Sequence, residues 1–324
     1  MGGGLIAEAP GGPEAMVWTD LPLEKPGPGE VVVAHTAVGV NFIDVYFRSG
    51  LYPWPETPMI PGAEASGVVE AVGPDVADLK VGDRVAYVLP RGAYREQRVL
   101  PAERLVPLPD GIDATAIAGA MLKGLTAHYL VTSSYQVKPG DTVLVHAAAG
   151  GVGLILGQWL KALGVAAIGT AGGPEKVALA REHGYDHVID YKSEDFVAEV
   201  ERLTDGAGCE VVYDSVGADT WRGSLKCLKR RGMFVNFGQS SGMLRDFQMS
   251  DLAKGGSLSA NRPMLFDYIV DRSELLERSS ALFERILDGT IRLDVAATRP
   301  LKEAAAAHAD LEARKTVGST ILLV

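Results

Sequence analysis

From Val143 to Val145 the chain is continuously apolar, and from Val165 to Ile168 it is apolar again. Between these runs Val152, Ile155, Leu156, Trp159, Leu160 and Leu163 recur three and four apart, the spacing of one helix face. The pattern predicts strand, helix, strand, with Gly164 placed to stop the helix and both strands buried in a parallel sheet. The first strand runs into the helix through His146-Ala-Ala-Ala-Gly-Gly-Val-Gly153. On the spacing G-x-G-x-x-G the positions are Ala148, Gly150 and Gly153, with alanine replacing the first glycine. Gly150 lets backbone approach a pyrophosphate, Gly153 lets the helix pack on its strand, and the helix N-terminus supplies partial positive charge. A βαβ unit that binds nothing is the plainer alternative; the unbroken order of strand, turn, helix and strand favours a dinucleotide.

The alternation continues. Helices are predicted at about 175–183, 194–203 and 219–229, and strands at 187–190, 210–213 and 232–237. Repeated βα units imply a doubly wound, Rossmann-type parallel sheet whose ligand crevice lies at the carboxyl ends of the strands. Residues 1–120 read differently. Short β-branched runs such as Glu30–Ala34, Gly67–Val72 and Asp83–Val88, separated by turns such as Pro26–Gly29, predict a largely antiparallel β unit. Asp113 is placed to cap a helix over 114–122 that continues to about 131. Helices at 273–288 and 301–313 and a strand at 319–323 form a tail expected to return to the first domain. The predicted division is therefore 1–124 with 266–324, and 125–265.

Composition narrows the class. The 324 residues are 47 % hydrophobic and 22 % charged, an ordinary globular balance. Forty-one acidic against 31 basic residues give a formal charge of −10, which disfavours nonspecific nucleic-acid binding. Two cysteines, Cys209 and Cys227, make neither a disulfide framework nor a metal site unaided, so a cytoplasmic location is expected. No basic segment followed by an apolar core opens the chain, so no secretion signal is expected. The most apolar stretch, 142–172, is interrupted by glycines, Gln158 and Lys161, and reads as βαβ rather than a membrane span.

Several segments, in order, resemble the medium-chain dehydrogenase/reductase superfamily over essentially the full length. They are Asn41–Pro53, Pro61–Gly67, Leu122–Thr126, His146–Gly153, Tyr213–Gly217 and Phe237–Gly242. The zeta-crystallin-like branch of NADPH-dependent quinone oxidoreductases is the most similar. The resemblance implies a GroES-like, mainly antiparallel catalytic domain beside the Rossmann NADPH-binding domain, and a homodimer. Zinc enzymes of the superfamily carry a cysteine ligand where this chain has Asn41 and a histidine where it has Ala63, and their structural cysteine cluster is missing. The six histidines show no paired ligand spacing, so no metal is expected.

An NAD enzyme usually ends its second strand with an acid for the ribose 2′-hydroxyl. Here that region reads Gly169-Thr-Ala-Gly-Gly-Pro-Glu-Lys176, so NADPH is expected, with Lys176 attracting the 2′-phosphate. A solvated lysine at a helix start is the alternative for Lys176, and Glu175 is expected to point outward. In the family Gly172, Lys176 and Tyr191 surround that phosphate. Tyr129, Gly151 and Val152 line the phosphate and ribose path, and Asn41 and Tyr46 lie beside the nicotinamide. Ser215, Phe237, Gly238, Ser240 and Ser241 border its ribose and ring, while Arg262 and Arg314 approach from the hinge side. Without the resemblance these serines read as turn residues and the arginines as surface charges.

A quinone already accepts electrons readily, so the protein must orient it and donate hydrogen bonds to developing oxyanion charge. Asn41, Tyr46 and Tyr52 are the candidates, although Tyr46 and Tyr52 fit a packed aromatic cluster equally well. Asp44 and Arg48, four apart, are placed to pair on a helix. The expected activity is zinc-independent NADPH:quinone oxidoreduction by electron or hydride transfer. An NADPH-dependent enone or alkenal double-bond reductase is the alternative. Relatives that act as lens crystallins or bind AU-rich RNA leave a third reading, against which the net charge speaks.

Overall fold

The computed structural model describes residues 2–54 and 56–324, and its contacts divide the chain into two compact units. One comprises residues 1–123, 269–287 and 293–324; the other comprises 124–268 and 288–292.

The first unit begins with β1 (Gly2–Ile6), β2 (Val17–Leu21) and β3 (Glu30–Gly39), then α1 (Phe42–Arg48). It continues through β4 (Glu64–Val72), β5 (Arg84–Val88), β6 (Gln97–Pro101), β7 (Val106–Pro107), α2 (Ala114–Ala118) and α3 (Met121–Tyr129). The β-branched runs of the sequence therefore do form strands. β3 is the hub, pairing antiparallel with β4, β6 and the C-terminal strand β15 (Ser319–Leu323). Val31, Val33, Val38, Val69, Val85 and Tyr87 fill the core beneath this sheet.

Asp113 caps α2 as expected, accepting from Ala116 N–H at 2.7 Å. The single long helix predicted from residue 114 to about 131 is instead broken at Gly119. A Cβ there would lie 2.8 Å from Ile321 of β15, and Ser319 Oγ donates to Gly119 O at 3.0 Å, so the returning strand claims this backbone. Beyond Tyr129 the helix widens into a turn in which Tyr135 N–H reaches Leu130 O.

The second unit holds β8 (Thr142–Val145), α4 (Gly151–Ala162), β9 (Ala166–Ala171), α5 (Pro174–Glu182) and β10 (His187–Asp190). It continues with α6 (Phe196–Leu203), β11 (Cys209–Asp214), α7 (Trp221–Lys226), β12 (Leu228–Asn236), α8 (Met249–Lys254) and β13 (Ser259–Asn261). The sheet order is β10-β9-β8-β11-β12-β13 and every pair is parallel. In order of appearance that is 3-2-1-4-5-6, the doubly wound arrangement whose switch point lies between β8 and β11.

The α4 stripe buries Ile155, Leu156, Trp159 and Leu160, each contributing roughly 1.5–3 kcal/mol by leaving water. The next-but-two helix, α7, is shorter than the predicted 219–229. Cys227 O accepts from Cys209 N–H at 2.8 Å and Leu228 already pairs in register with Cys209, so the sheet takes the chain from the helix early. Both cysteines are buried, and burial pushes the Cys209 thiol up to about 12 and raises that of Cys227 as well.

The chain ends in the first unit with α9 (Arg272–Leu287), β14 (Val295–Pro300), α10 (Ala304–Glu312) and β15. Among the described residues no helix is long and apolar enough to cross a membrane.

Candidate active site

The glycine turn sits at the carboxyl end of β8, on one side of the switch point. Gly150 is the cap of α4 in extended conformation and offers no side-chain cap, so the cap residue itself takes up none of the first N–H groups of the helix through a side chain. A Cβ on Gly153 would fall against Ala147 O and lie 2.6 Å from Ala148 O, so the backbone fold itself requires glycine. Gly150 is less tightly held, with Ala147 O 3.1 Å from a Cβ. The tight turn that a first glycine usually makes falls one residue earlier, at Ala147, which adopts φ 56°. Ala148 is buried, its methyl taking the space that Gly169 of β9 leaves open. Substituting alanine for the first glycine is thus balanced by a glycine on the neighbouring strand. The cradle fits a pyrophosphate.

The loop after β11 forms the other side of the switch point. Asp214 Oδ1 accepts from Val216 N–H at 2.8 Å and Gly217 N–H at 3.0 Å, bending Asp214–Gly217 into a tight turn. That turn interlocks with 237–242. Ser240 N–H donates to Ser215 O at 3.1 Å, and Ser241 Oγ donates to Val216 O at 2.8 Å. A Cβ on Gly238 would lie 2.7 Å from Ser215 O. Ser215, Phe237, Gly238, Ser240 and Ser241, separated in sequence, are therefore brought together on one rim.

A polar layer that no local motif announces lies beneath this rim. Asn236 Nδ2 donates to Asp214 O at 3.2 Å and to Gly238 O at 2.8 Å. Ser224 Oγ donates to Asp214 Oδ2 at 2.9 Å and contacts His146 Nε2 at 3.0 Å, while His146 Nδ1 lies 2.9 Å from Thr170 Oγ1. A Ser224 hydroxyl that donates to Asp214 accepts from His146, which puts the histidine proton on Nε2. Burial holds His146 below its ordinary pKa, and it stays neutral.

After β9 the chain turns through Gly172 and Gly173, and no acid stands there. A Cβ on Gly172 would lie 2.5 Å from the Tyr191 hydroxyl, so that ring closes over the glycine. Lys176 is half-buried on the first turns of α5, and Glu175 is exposed. Asp190 accepts from Gly173 N–H at 2.9 Å and Lys192 N–H at 3.1 Å, and these bonds hold its carboxyl below its usual range. Lys192 Nζ lies 3.8 Å from where a Cβ on Gly173 would be. This second cation beside the glycine pair was missed, because only folding brings β10 back to the end of β9.

Tyr129 is buried and stacked on Tyr268, with ring centroids 4.4 Å apart and planes 6° from parallel. Arg262 is exposed in the second unit, and its guanidinium donates to Pro263 O at 3.1 Å. Arg314 is in the first unit, exposed, just beyond α10 at φ 57°.

The remaining candidates lie on and after α1. Asn41 caps the helix and is buried; Tyr46 packs on Tyr52 with centroids 5.3 Å apart, and Phe42 and Phe47 flank them. Asn41 Nδ2 donates to Glu64 Oε1 at 2.8 Å, and Lys123 Nζ donates to the same oxygen at 2.9 Å. Glu64 Oε2 accepts Leu122 N–H at 2.7 Å, near the start of α3. Neither Glu64 nor Lys123 stood out as a candidate in the sequence.

The expected Asp44–Arg48 pair does not form. Asp44 Oδ2 reaches back to Asn41 N–H at 2.8 Å and accepts the Tyr94 hydroxyl at 3.2 Å. Arg48 instead grips Glu312 through two bonds, 2.9 and 2.8 Å, from α10. The cap carboxylate is drawn to unsatisfied N–H groups at its own helix start, and a bidentate partner outcompetes it for the guanidinium. His308 bridges the two, with Nε2 2.8 Å from the Tyr94 hydroxyl and Nδ1 3.4 Å from Arg48. Burial pushes Asp44 up to about 7, and burial beside Arg48 pulls His308 down to about 3. Among the described residues no group of three or more His, Cys, Asp or Glu side chains is placed to hold a metal.

Residues 27–110 match the alcohol dehydrogenase GroES-like domain, and residues 151–272 match the zinc-binding dehydrogenase domain. The quinone oxidoreductase of Pseudomonas aeruginosa is 51 % identical over 314 residues, 97 % of each chain. A 2-haloacrylate reductase of a Burkholderia species is 46 % identical over 97 % of this chain and 96 % of its own. The solved structure of Escherichia coli quinone oxidoreductase complexed with NADPH superposes with a TM-score of 0.96 at 43 % identity, covering 99 % of this chain and all of that one. With such identity over nearly the full length of both chains, this protein belongs to the quinone oxidoreductase family of the medium-chain dehydrogenase/reductase superfamily.

Proposed function

We propose that this chain is a zinc-independent NADPH:quinone oxidoreductase. On this reading the parallel-sheet unit is the NADPH-binding domain and the GroES-like unit takes the acceptor. The net reaction is NADPH + H⁺ + quinone → NADP⁺ + hydroquinone. NADPH, when bound, supplies the reducing equivalents; the protein binds, orients and excludes water.

The observation that carries the reading is the glycine cradle at the switch point, next to a β9 that is followed by Gly172–Gly173, where Lys176 and Lys192 stand and the strand itself contributes no acid. Gly151, Val152 and Gly153 N–H groups face the pyrophosphate. Lys176, Lys192 and the Tyr191 hydroxyl hold the 2′-phosphate, whose charge a carboxylate would repel. Tyr129, Ser215, Phe237, Gly238, Ser240, Ser241, Arg262 and Arg314 complete the cofactor contacts by family resemblance. Asn41, Tyr46 and Tyr52 donate to the quinone oxygens and stack against its ring.

Zinc independence is supported by Asn41 and Ala63 at the superfamily's ligand positions; turnover unchanged after chelator treatment is the expected result. A cytoplasmic homodimer is part of the same reading, and a sedimentation mass of one chain would refute the dimer. The 2-haloacrylate reductase relative favours a second reading, reduction of electron-poor carbon–carbon double bonds. Fluorescence titration with NADPH and NADH, followed by a quinone and enone panel, separates the readings. Tight NADPH binding with quinone turnover is expected, and turnover of enones alone would overturn the first reading in favour of the second.

A further inference from the structure

Glu64 is fully buried, and its carboxylate accepts three donors: the Asn41 side chain, the Lys123 ammonium and the Leu122 backbone. Room for it is made by Gly39, where a Cβ would strike Glu64 Oε1 and lie 2.5 Å from Ala118 O. Lys123 is itself 5 % exposed, and its second acceptor is Val40 O at 3.4 Å, the carbonyl immediately before Asn41. A buried ion pair is a poor source of stability, since apolar residues of the same volume serve as well or better. Its presence at this place calls for another reason.

Resting on the reading of Asn41 as a substrate contact, we propose that Glu64 and Lys123 are positioning residues for Asn41. An amide nitrogen carries two protons. Glu64 takes one and so fixes the amide plane, which leaves the second directed donor for the acceptor oxygen of the substrate. A carboxylate so close to that oxygen would oppose the negative charge that develops there during reduction. Lys123 cancels it: its charge is 2.9 Å from Glu64 Oε1 and equally withdrawn from water. The pair thereby supplies orientation without adding net negative charge, in a setting where uncompensated charge acts strongly. Zinc enzymes place metal ligands at this point of the chain; here a neutral amide steered by a balanced pair stands in its place.

The test is a double-mutant cycle on the purified full chain, with NADPH affinity measured alongside steady-state kinetics. Lys123→Met is expected to lower kcat/KM for the quinone by about a hundredfold through kcat, leaving NADPH affinity within about twofold. In an Asn41→Ala background the same substitution is expected to cost less than about threefold, because the group it acts through is gone. Equal losses in the two backgrounds would overturn the inference. Should Lys123→Met fail to fold, the charge-neutral pair Glu64→Gln/Lys123→Met decides, since the introduced amide still accepts from Asn41. A folded double variant is expected within about tenfold of the parent, and one as impaired as Asn41→Ala would overturn the proposal. A parent protein that binds no NADPH, or turns over neither quinones nor enones, would instead overturn the functional reading, and that is measured first.

Discussion

Gly153 and Glu64 show two ways of preparing a surface for a ligand. At Gly153 the preparation is a missing atom: backbone carbonyls crowd the space of a Cβ, and the freed helix terminus presents N–H groups. At Glu64 the preparation is an added charge, buried and then satisfied donor by donor until nothing of it is left over. On the proposed function the first device recognises the diphosphate of the cofactor, and on the inference drawn above the second shapes the place of the acceptor. Backbone suits what is constant, and exchangeable side chains suit what varies.

The sharpest way to break the comparison is to fill the glycine cradle. Gly153→Ala forces a Cβ onto two carbonyls, and NADPH affinity is expected to fall at least about a hundredfold in a fluorescence titration. A loss of tenfold or less would mean that the turn relaxes and backbone is not the rigid partner. Next come the lysines proposed for the 2′-phosphate: Lys176→Ala and Lys192→Ala are each expected to weaken NADPH about tenfold while leaving NADH nearly unchanged. High salt should shrink both effects. If Lys192→Ala weakens both cofactors alike, it serves the fold and not the 2′-phosphate.

The charged side of the comparison is sharpened by pH. His35 and His308 are buried and held at about 3, His35 by desolvation and His308 by desolvation beside Arg48. The unfolded chain binds their protons first, so their contribution to stability is lost as pH falls from about 6.5 toward 3. Asp44 runs the other way. With its folded value raised to about 7, the native state holds a proton that the unfolded state has released, so its contribution falls as pH rises from about 4 to 7. Between about 4 and 6.5 the two trends oppose each other, and Asp44→Asn is expected to steepen the acid loss of stability measured by urea unfolding. An unchanged slope would show that Asp44 does not carry that proton.

The smallest effects serve as controls. Asp113→Ala and Asp195→Ala remove helix caps in the two units, and each is expected to cost about 1 kcal/mol, because capping is local whatever the unit does.

What sequence revealed follows the same division. The glycine turn, its helix and its strands are local, so periodicity and spacing were enough to read them. Asn41 was recognisable from its neighbours, but Lys123 reaches Glu64 across 59 positions and Arg48 reaches Glu312 across 264. Four-residue spacing made Asp44 and Arg48 look like partners; the competition that decided otherwise came from α10. The break at Gly119 was hidden in the same way, since the residue that causes it is Ile321. Short-range rules see only the interactions available within a turn or two of chain. The contacts that join Glu64 to Lys123, Arg48 to Glu312 and His146 to Ser224 are longer ones.

Quinones and enones alkylate thiolates, so a protein that handles them risks being consumed by what it turns over. The chain has two cysteines, and both are sealed where β11 and β12 begin, hydrogen-bonded backbone to backbone. Burial keeps both thiols protonated at neutral pH, the form that does not attack. Long exposure to substrate should therefore leave both cysteines unmodified in a peptide map, with thiol alkylation setting in only when the parallel sheet opens.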